Sequence, residues 1–327
     1  MKKMWRNTLK NRLIVITGPT ASGKSDIAIN LAKSLESQII SADSQQVYRY
    51  MNIGTNKTED IFEVDHFMID LINPDQPFSV EDFSREARSL VKKINNNNRI
   101  PIVAGGTGFY IDSLIYEMNY GQVKKDQGYR NELQALAIDK GNEFLYKRLS
   151  EIDPETAKRY HPNEVNRIIR ALEIYHLSGK IPSDIRSGER KLNDNINPLV
   201  FFLNYDNRDL LYERINHRVL KMIDDGLVEE VKYLVRKYKL TDKSQSMSAI
   251  GYKEVLSFLN DEITYEEMIE LIQKNTRHYA KRQITWMKKY LDYGFTHEIK
   301  MDKLTKDDAS DIILSIILSI IKGAYDL

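Results

Sequence analysis

Apolar runs alternate with helical patterns over the first third of the chain. Leu13–Thr17, Gln38–Ala42 and Ile100–Ala104 have the continuous apolar character of strands buried in a parallel sheet. A glycine-rich segment and a helical pattern follow the first run. A second helix is predicted over Ser79–Asn95, because the serine is a good N-cap. This alternation of strands and helices predicts an α/β parallel sheet.

The pattern changes at about Tyr120. From there to about Asn195, apolar residues recur at helical spacing and no segment is typical of a strand. Leu199–Leu203 then predicts another strand, and Asp209 begins a helical pattern that closes near Gly226. We therefore expect an α/β catalytic core of residues 1–119 and 196–327, with C-terminal helices, and a helical insertion domain of residues 120–195.

Composition and charge narrow the classes of function. The chain has 327 residues, of which 42% are hydrophobic and 29% charged, as in globular proteins, and its N-terminus lacks a signal-peptide pattern. The absence of cysteine excludes disulfides and cysteine-ligated zinc, and fits a reducing cytoplasm. Ile312–Ile321 is too short to span a bilayer and predicts a packed C-terminal helix. We expect a cytoplasmic protein, a monomer that does not associate with membranes.

One segment is strongly basic, although the net charge of the whole chain is only +1. Asn275–Leu291 contains five lysines and arginines, no acid, and three aromatic residues between them. Such a segment can contact phosphates and stack on bases, although the solvated face of an ordinary helix is an equally good interpretation.

A phosphate-binding loop (P-loop) is predicted by the sequence GPTASGKS at residues 18–25, which matches G-x-x-x-x-G-K-[ST] between a strand and a helix. Its backbone N–H groups and the helix N-terminus would hold phosphate oxygens, and Lys24 would add a positive charge. Ser25 is the candidate ligand for Mg²⁺. The predicted fold class is a parallel sheet core like that of the P-loop NTPases. The candidate phosphate-binding residues are Gly18, Thr20, Ala21, Ser22, Gly23, Lys24 and Ser25.

Asp43 follows the second predicted strand, where ligands bind in open parallel sheets. A carboxylate there could accept a proton from an attacking nucleophile, with Ser44 and Gln46 contacting the acceptor. After Ile100–Ala104 the chain has Gly-Gly-Thr instead of the acidic residue typical of NTP-hydrolysing motors. These residues favour group transfer from a phosphate-bearing donor, and by themselves they suggest a small-molecule kinase first.

Eight motifs in chain order carry a family resemblance. They are GPTASGKS (18–25), DSQQVY (43–48), GTNK (54–57), PIVAGGTGFY (101–110), HPN (161–163), RIIRALE (167–173), AIGYKE (249–254) and RHYAKRQITW (277–286). Together they resemble the tRNA dimethylallyltransferases, also called isopentenyl-tRNA transferases. Asn56 stands where many members have alanine, and we expect this departure to lie away from the chemistry.

The resemblance implies transfer of a dimethylallyl group from dimethylallyl diphosphate to the exocyclic amine of the adenosine 3′-adjacent to the anticodon in tRNA, with release of diphosphate. It implies that Asp43 engages this amine, that Thr107 faces the tRNA, and that either Arg214 or Arg218 contacts the diphosphate. With Lys24, these are the candidate catalytic residues. The implied partner is the tRNA anticodon stem-loop. The candidate tRNA contacts are Asp43, Ser44, Gln45, Gln46, Thr107, Asn166, Arg167, Ile168, Ile169, Arg170, Ala249, Ile250, Gly251, Tyr252, Lys253, Arg277, Lys281, Arg282 and Gln283.

Three alternatives rank below this interpretation. A P-loop small-molecule kinase would leave the helical insertion and the basic segment without a role. A prenyltransferase acting on free adenylate would not need a surface for an RNA stem. A regulatory nucleotide-binding module would not explain Asp43 or the ordered set of motifs.

Overall fold

A six-stranded sheet forms the centre of the larger of two compact units. The computed structural model describes residues 11–57, 63–118, 126–186 and 191–322. The larger unit comprises Met1–Ile115 and Asn193–Leu327, and the smaller one comprises Tyr116–Leu192. The strands are β1 (Arg12–Thr17), β2 (Ile39–Ser41), β3 (His66–Phe67), β4 (Ile102–Gly105), β5 (Asn197–Asn204) and β6 (Thr296–Lys300). They lie in the order β3-β2-β4-β1-β5-β6, and all neighbours are parallel.

The central strands explain why the sequence pattern was informative. All residues of β1 and β5 are buried, and a strand covered on both faces needs a continuous apolar run. The four strands predicted from such runs are therefore confirmed. The two strands at the edges of the sheet were missed. The strand β3 is only two residues long, and β6 is a half-buried, largely polar strand that pairs with β5 and ends the strand order of the described sheet.

The register of the sheet brings three loops together. Thr17 at the end of β1 pairs with Gly105 at the end of β4, and Ser41 at the end of β2 pairs with Ala104. Because these strands are parallel, the loops that follow them leave the same edge of the sheet. The P-loop, Asp43 and the Gly-Gly-Thr turn therefore start close to one another.

Helices pack against this sheet and make up most of the rest of the described chain. The predicted helix at Ser79 is confirmed: Ser79 Oγ accepts from the Asp82 N–H at 3.2 Å, and the Asp82 carboxylate accepts from the Ser79 N–H at 3.0 Å. The helices are α1 (Lys24–Ser34), α2 (Val80–Asn96), α3 (Gly108–Ile115), α4 (Gln127–Lys140), α5 (Asn142–Ile152), α6 (Pro154–Ala157), α7 (Val165–Ser178), α8 (Pro182–Arg186), α9 (Arg208–Asp224), α10 (Leu227–Tyr238), α11 (Tyr252–Leu259), α12 (Tyr265–Lys288) and α13 (Lys306–Lys322).

The C-terminal helix α13 is longer than the apolar run Ile312–Ile321 that predicted it. It packs against α1 and buries Ala309, Ile313 and Ile317. Among the described residues, none of the helices has the length and apolar character needed to cross a membrane.

The smaller unit contains helices α4 to α8. The predicted insertion, residues 120–195, starts and ends a few residues later than this unit, and residue 120 lies outside the described residues. Its core includes Leu133, Leu149 and Leu172. Glu173 is completely buried and accepts hydrogen bonds from Arg130 and Arg170. Burial by itself would raise the pKa of Glu173, but these hydrogen bonds lower it to about 2.

Candidate active site

The P-loop connects β1 to α1 in a conformation that depends on glycine. Gly23, the N-cap of α1, has a φ of +87°, in the left-handed region that favours glycine. A Cβ on Gly18 would lie 2.5 Å from the backbone oxygen of Leu203, so this position also excludes a side chain. The loop therefore passes tightly against the sheet and presents the N-terminus of α1, a favourable place for an anion.

Lys24 lies in the P-loop with a destabilised charge. Its Nζ donates a hydrogen bond to the Pro19 backbone oxygen at 2.9 Å. Burial, together with the positive charge of Arg218, lowers the pKa of Lys24 to about 8, and Asp43 partly opposes this shift. Burial and a nearby cation destabilise the charged form of this lysine. A bound anion would stabilise the ammonium group and raise its pKa towards the usual value.

The lowered pKa of Lys24 predicts that a diphosphate donor binds with proton uptake. Lys24 is charged below about pH 8 and becomes neutral above it, whereas a bound anion raises its pKa. Affinity for a diphosphate should therefore fall above about pH 8, by up to about tenfold per pH unit. Calorimetric titrations without tRNA, in two buffers of different ionisation enthalpy, measure the proton uptake. Lys24→Ala should abolish it, and equal uptake in that variant would contradict the assignment.

Two arginines of α9 contact the P-loop. Arg214 is exposed, and its Nε donates to the Ala21 backbone oxygen at 3.0 Å. Arg218, one turn later, is half-buried, and its guanidinium donates to Thr20 Oγ1 at 2.9 Å. Burial lowers the pKa of Arg218, and the nearby Asp43 opposes this shift. Both candidates from the sequence thus reach the loop, but only Arg218 also lies near Asp43.

A cavity of about 490 Å³, here called the donor cavity, opens over the P-loop. Arginine and lysine side chains from three elements line it, so it is suited to an anion. Asn56 also lines it, which corrects the expectation that this residue lies away from the chemistry. Its φ of +54° suits asparagine better than most other residues. The lining residues are Ala21, Gly23, Lys24, Ser25, Asp26, Asn56, Glu213, Arg214, His217, Arg218 and Lys306.

A second cavity of about 280 Å³, here called the acceptor cavity, contains Asp43. It shares Arg218 with the donor cavity, and Thr20 of the P-loop lies in its wall. The remaining lining residues are Ser44, Gln45, Gly54, Thr55, Val219, Met222, Ser248, Ala249, Ile250, Ile272, Thr276, Tyr279 and Arg282. Among them, the apolar side chains of Val219 and Met222 on α9 and of Ile272 on α12 were missed by sequence reasoning. The missed residues follow the ordinary helical period of core positions, so no local signal distinguished them.

Asp43 is fixed by the turn that follows β2. Its Oδ1 accepts from the Gln45 N–H at 2.8 Å, and among the described residues no group donates to its second carboxylate oxygen, which can therefore bind a ligand. Thr107 Oγ1 accepts from the Ser44 N–H at 3.1 Å and so joins this turn to the Gly-Gly-Thr segment. A side chain on Gly105 would clash with the backbone of Ala42, which explains the glycine.

Gln283 joins the P-loop to the Gly-Gly-Thr segment. Its Oε1 accepts from the Thr20 N–H at 2.8 Å, and its Nε2 donates to the Gly106 oxygen at 3.0 Å. The residue is 5% exposed. Both ends of the amide are therefore used within the protein, and Gln283 holds the two loops at a fixed distance instead of presenting its side chain on the surface.

Comparison with known proteins gives consistent matches. Family models described as isopentenyl transferase and IPP transferase match residues 11–65 and 46–290. A tRNA dimethylallyltransferase of Caldanaerobacter subterraneus is 45% identical, over 85% of this chain and 89% of the relative. This chain belongs to the tRNA dimethylallyltransferase family.

Solved structures of tRNA dimethylallyltransferases share the fold. The tRNA isopentenylpyrophosphate transferase of Bacillus halodurans is 38% identical with a TM-score of 0.70, and the match covers 97% of this chain and 99% of that one. A eukaryotic dimethylallyltransferase acting on tRNA is 28% identical with a TM-score of 0.82, over 96% and 80% of the two chains. The P-loop-like parallel core predicted from the sequence is therefore confirmed.

The structure separates the candidate tRNA contacts of this dimethylallyltransferase into surface and core positions. Exposed side chains are those of Asn166, Arg167, Lys253, Lys281 and Arg282, and Arg170, Ile250 and Arg277 are half-buried. By contrast, Ile168, Ile169, Ala249, Gly251 and Tyr252 are buried, like Gln283. The side chains of Ile168 and Ile169 belong to the core of the smaller unit, because a helix that binds a partner on one face must also pack on the other.

Two further candidate tRNA contacts, Tyr252 and Gln46, form hydrogen bonds within the larger unit. The Tyr252 hydroxyl donates to Glu230 at 2.6 Å, and its ring lies against Gly54. The Gln46 amide accepts from Ser41 Oγ at 2.8 Å and donates to the Thr55 oxygen at 3.1 Å. These side chains contact Gly54 and Thr55, which line the acceptor cavity, and their contact with tRNA stays a prediction.

Proposed function

We propose that the chain transfers a dimethylallyl group from dimethylallyl diphosphate to the exocyclic amine of the adenosine 3′-adjacent to the anticodon in tRNA, and releases diphosphate. One observation carries the proposal beyond family membership. The cationic donor cavity and the acceptor cavity that holds Asp43 share Arg218. A prenyl diphosphate needs a site for its anion next to an apolar site for its hydrocarbon, and these two cavities supply both.

The donor cavity would stabilise the leaving group. Cleavage of the allylic carbon–oxygen bond leaves negative charge on the diphosphate and positive charge on the allyl group. Backbone N–H groups of the P-loop, Lys24 and Arg218 would meet that negative charge as it develops, and such preorganised charge is usually the largest catalytic contribution. The apolar side chains of Val219, Met222 and Ile272 would surround the dimethylallyl group in the acceptor cavity.

Asp43 would act on the acceptor. An adenine amine is a weak nucleophile because its lone pair is delocalised into the ring. The free carboxylate oxygen of Asp43 can accept a hydrogen bond from the amine and take up its proton as the new carbon–nitrogen bond forms. Thr107 and Tyr279 lie beside it: burial raises the pKa of Tyr279 to about 12, so its hydroxyl remains a hydrogen-bond donor.

The donor cavity has oxygen ligands that fit a magnesium ion. The Ser25 hydroxyl and the Asn56 amide line it together with the P-loop. Mg²⁺ prefers oxygen ligands and is commonly held by one or two protein groups together with substrate phosphates and water. When bound, the ion would neutralise part of the charge on the diphosphate. This assignment supports Ser25 as the metal-binding residue of the P-loop.

The base must leave its stack to reach Asp43, and a clamp on the RNA would offset the cost of a few kcal/mol. Lys281 and Arg282 are exposed on α12, and Arg282 extends the wall of the acceptor cavity. Asn166 and Arg167 on the smaller unit are further candidates for contacts with the anticodon stem. Because tRNA is the acceptor, we place the reaction in the cytoplasm.

The clamp predicts a salt-dependent affinity for tRNA. Replacing Lys281 and Arg282 together by alanine should reduce the slope of log affinity against log salt concentration by about 1–2, since each phosphate contact contributes about 0.7–0.9. Filter-binding measurements of tRNA affinity over a series of salt concentrations give this slope. Lys92→Ala with Lys93→Ala, an exposed pair on α2 that lines neither cavity, is the matched control. An equal change in both double variants would contradict a specific clamp.

A direct assay tests the proposed reaction. The chain is incubated with labelled dimethylallyl diphosphate, magnesium and unmodified tRNA, and parallel reactions contain AMP or ATP as the acceptor. We expect label in the tRNA and released diphosphate. Label on free nucleotide alone would overturn the tRNA assignment, and transfer to none of these acceptors would reject prenyl transfer and favour a kinase instead.

A further inference from the structure

The C-terminal helix α13 has no part in the function proposed above, yet it places a lysine in the wall of the donor cavity. We propose that Lys306, the first residue of α13, binds the diphosphate of the donor directly. This inference rests on the proposed function, because it takes the anion in the cavity to be a diphosphate. Lys306 lies beyond residues 11–65 and 46–290, the segments that the family models match.

Lys306 is in contact with the P-loop itself. A Cβ built on Gly23 would lie 3.3 Å from Lys306 Cγ and 3.7 Å from its Cδ and Cε, so the stem of the lysine packs directly over this glycine. The ammonium group forms an ion pair with Asp26, the residue after Ser25. The side chain is 51% exposed, so its charged end remains accessible to a ligand in the cavity.

The position of Lys306 is fixed by the packing of α13. Thr305 and Asp308 form reciprocal hydrogen bonds at the start of the helix, of 2.9 and 3.1 Å between backbone N–H groups and side-chain oxygens. Asn30 of α1 donates to Asp307 Oδ1 at 3.1 Å. Because α13 also buries an apolar face on α1, the lysine is held beside the P-loop by an ordered element.

A lysine at this position is unfavourable for the helix alone. Helix N-termini favour acidic residues, and Asp307 and Asp308 in the first turn of α13 follow that preference. Lys306 does not. A residue that contradicts its local preference is expected at functional sites, and here the donor cavity supplies a reason for the positive charge.

The charge of the cavity favours direct binding. Besides Lys306, its cations are Lys24, Arg214 and Arg218, while Asp26 and Glu213 are acidic. In the free protein, Asp26 holds the ammonium group at the edge of the cavity. An ammonium group has further N–H donors beyond those used in one ion pair, so it can bind a phosphate oxygen while it remains beside Asp26.

Titration of the full chain with inorganic pyrophosphate, followed by calorimetry, tests the proposal. Lys306→Ala should weaken binding about tenfold, at the low end for a charge-assisted contact because the group is half exposed. Lys306→Arg should retain most of the affinity. Lys303→Ala, an exposed lysine three residues earlier that lines a different cavity, is the matched control and should bind as wild type. Thermal unfolding checks that each variant is folded.

A double-mutant cycle separates direct binding from simple neutralisation of Asp26. If Lys306 contacts the diphosphate, Asp26→Asn combined with Lys306→Ala should remain weaker than Asp26→Asn alone. If the Asp26→Asn variant and the double variant bind pyrophosphate equally well, Lys306 only neutralises Asp26 and the proposal is overturned. It is also overturned if Lys306→Ala binds pyrophosphate like wild type while Lys24→Ala loses binding.

The outcome for Lys306 can be distinguished from the outcome for the proposed function. Weaker pyrophosphate binding in Lys306→Ala, in a chain that transfers no dimethylallyl group to tRNA, would support the anion contact and reject the reaction. Normal transfer with unchanged pyrophosphate binding in Lys306→Ala would reject the contact and keep the reaction. A wild-type chain that does not bind pyrophosphate would overturn both.

Discussion

Replacing Asp43 by alanine is expected to reduce the rate of dimethylallyl transfer to tRNA by about 10²–10⁴, the usual contribution of a positioned base. The carboxylate lies in the acceptor cavity with one oxygen bound to the Gln45 N–H, and no hydrogen bond to the other oxygen is found in the described part of the chain. The loss should appear in the rate of a single turnover at saturating substrates. Asp43→Asn keeps the shape and one hydrogen bond but cannot take up a proton, so it should lose nearly as much.

The binding of both substrates distinguishes this chemical role from a structural one. Asp43→Asn should bind dimethylallyl diphosphate with near wild-type affinity, because the P-loop and Arg218 remain in place. Removal of the negative charge should also lower the pKa of Lys24 further, since Asp43 raises it in the wild type. Asp75→Asn, at an exposed position outside both cavities, is the control. A transfer rate within threefold of wild type, about 0.7 kcal/mol, would show that Asp43 is not the base.

The parts of the fold that the sequence predicted share a physical cause. Buried central strands such as β1 require continuous apolar runs, and the P-loop requires glycine where φ is positive, so both leave a local signal. The edge strand β6 leaves none, because a half-buried edge tolerates polar residues. Asp43 was predictable for a related reason: it lies two residues after the end of β2, which pairs with β4, the neighbour of the strand β1 that leads into the P-loop.

The remainder of the site depends on contacts between residues far apart in the chain. Val219 and Met222 line the acceptor cavity from α9 and Ile272 from α12, but along each helix they follow the same period as core residues. Gln283 accepts a hydrogen bond from the N–H of Thr20, which lies 263 positions earlier in the chain. The motif at residues 277–286 marked Gln283 as a candidate tRNA contact. Only the fold shows that its amide joins two loops. Lys306 is a further example, since its partner Asp26 is on α1.

The structure also predicts which of the two arginines of α9 matters more. Arg218→Ala should reduce the single-turnover rate by about 10²–10³, the loss typical when one preorganised donor for a developing anion is removed. Arg218 lies in both cavities, and burial lowers its pKa, so its charge is less screened by solvent than that of an exposed arginine. Arg218→Lys should restore little, because an ammonium group cannot reproduce the planar guanidinium that contacts Thr20.

Arg214 is the matched control for this prediction, since it lies one turn earlier on the same helix and also contacts the P-loop. It is exposed and lines the donor cavity alone, so Arg214→Ala should cost less than about tenfold, mainly in the KM for the donor. The pH dependence gives a second readout. Arg218 lowers the pKa of Lys24, so Arg218→Ala should move the alkaline loss of donor binding to higher pH. The prediction would be contradicted if both alanine variants lost the same rate and the pH at which donor binding is lost did not change in Arg218→Ala. The total charge of the cavity would then matter, and Arg218 would have no special role between donor and acceptor.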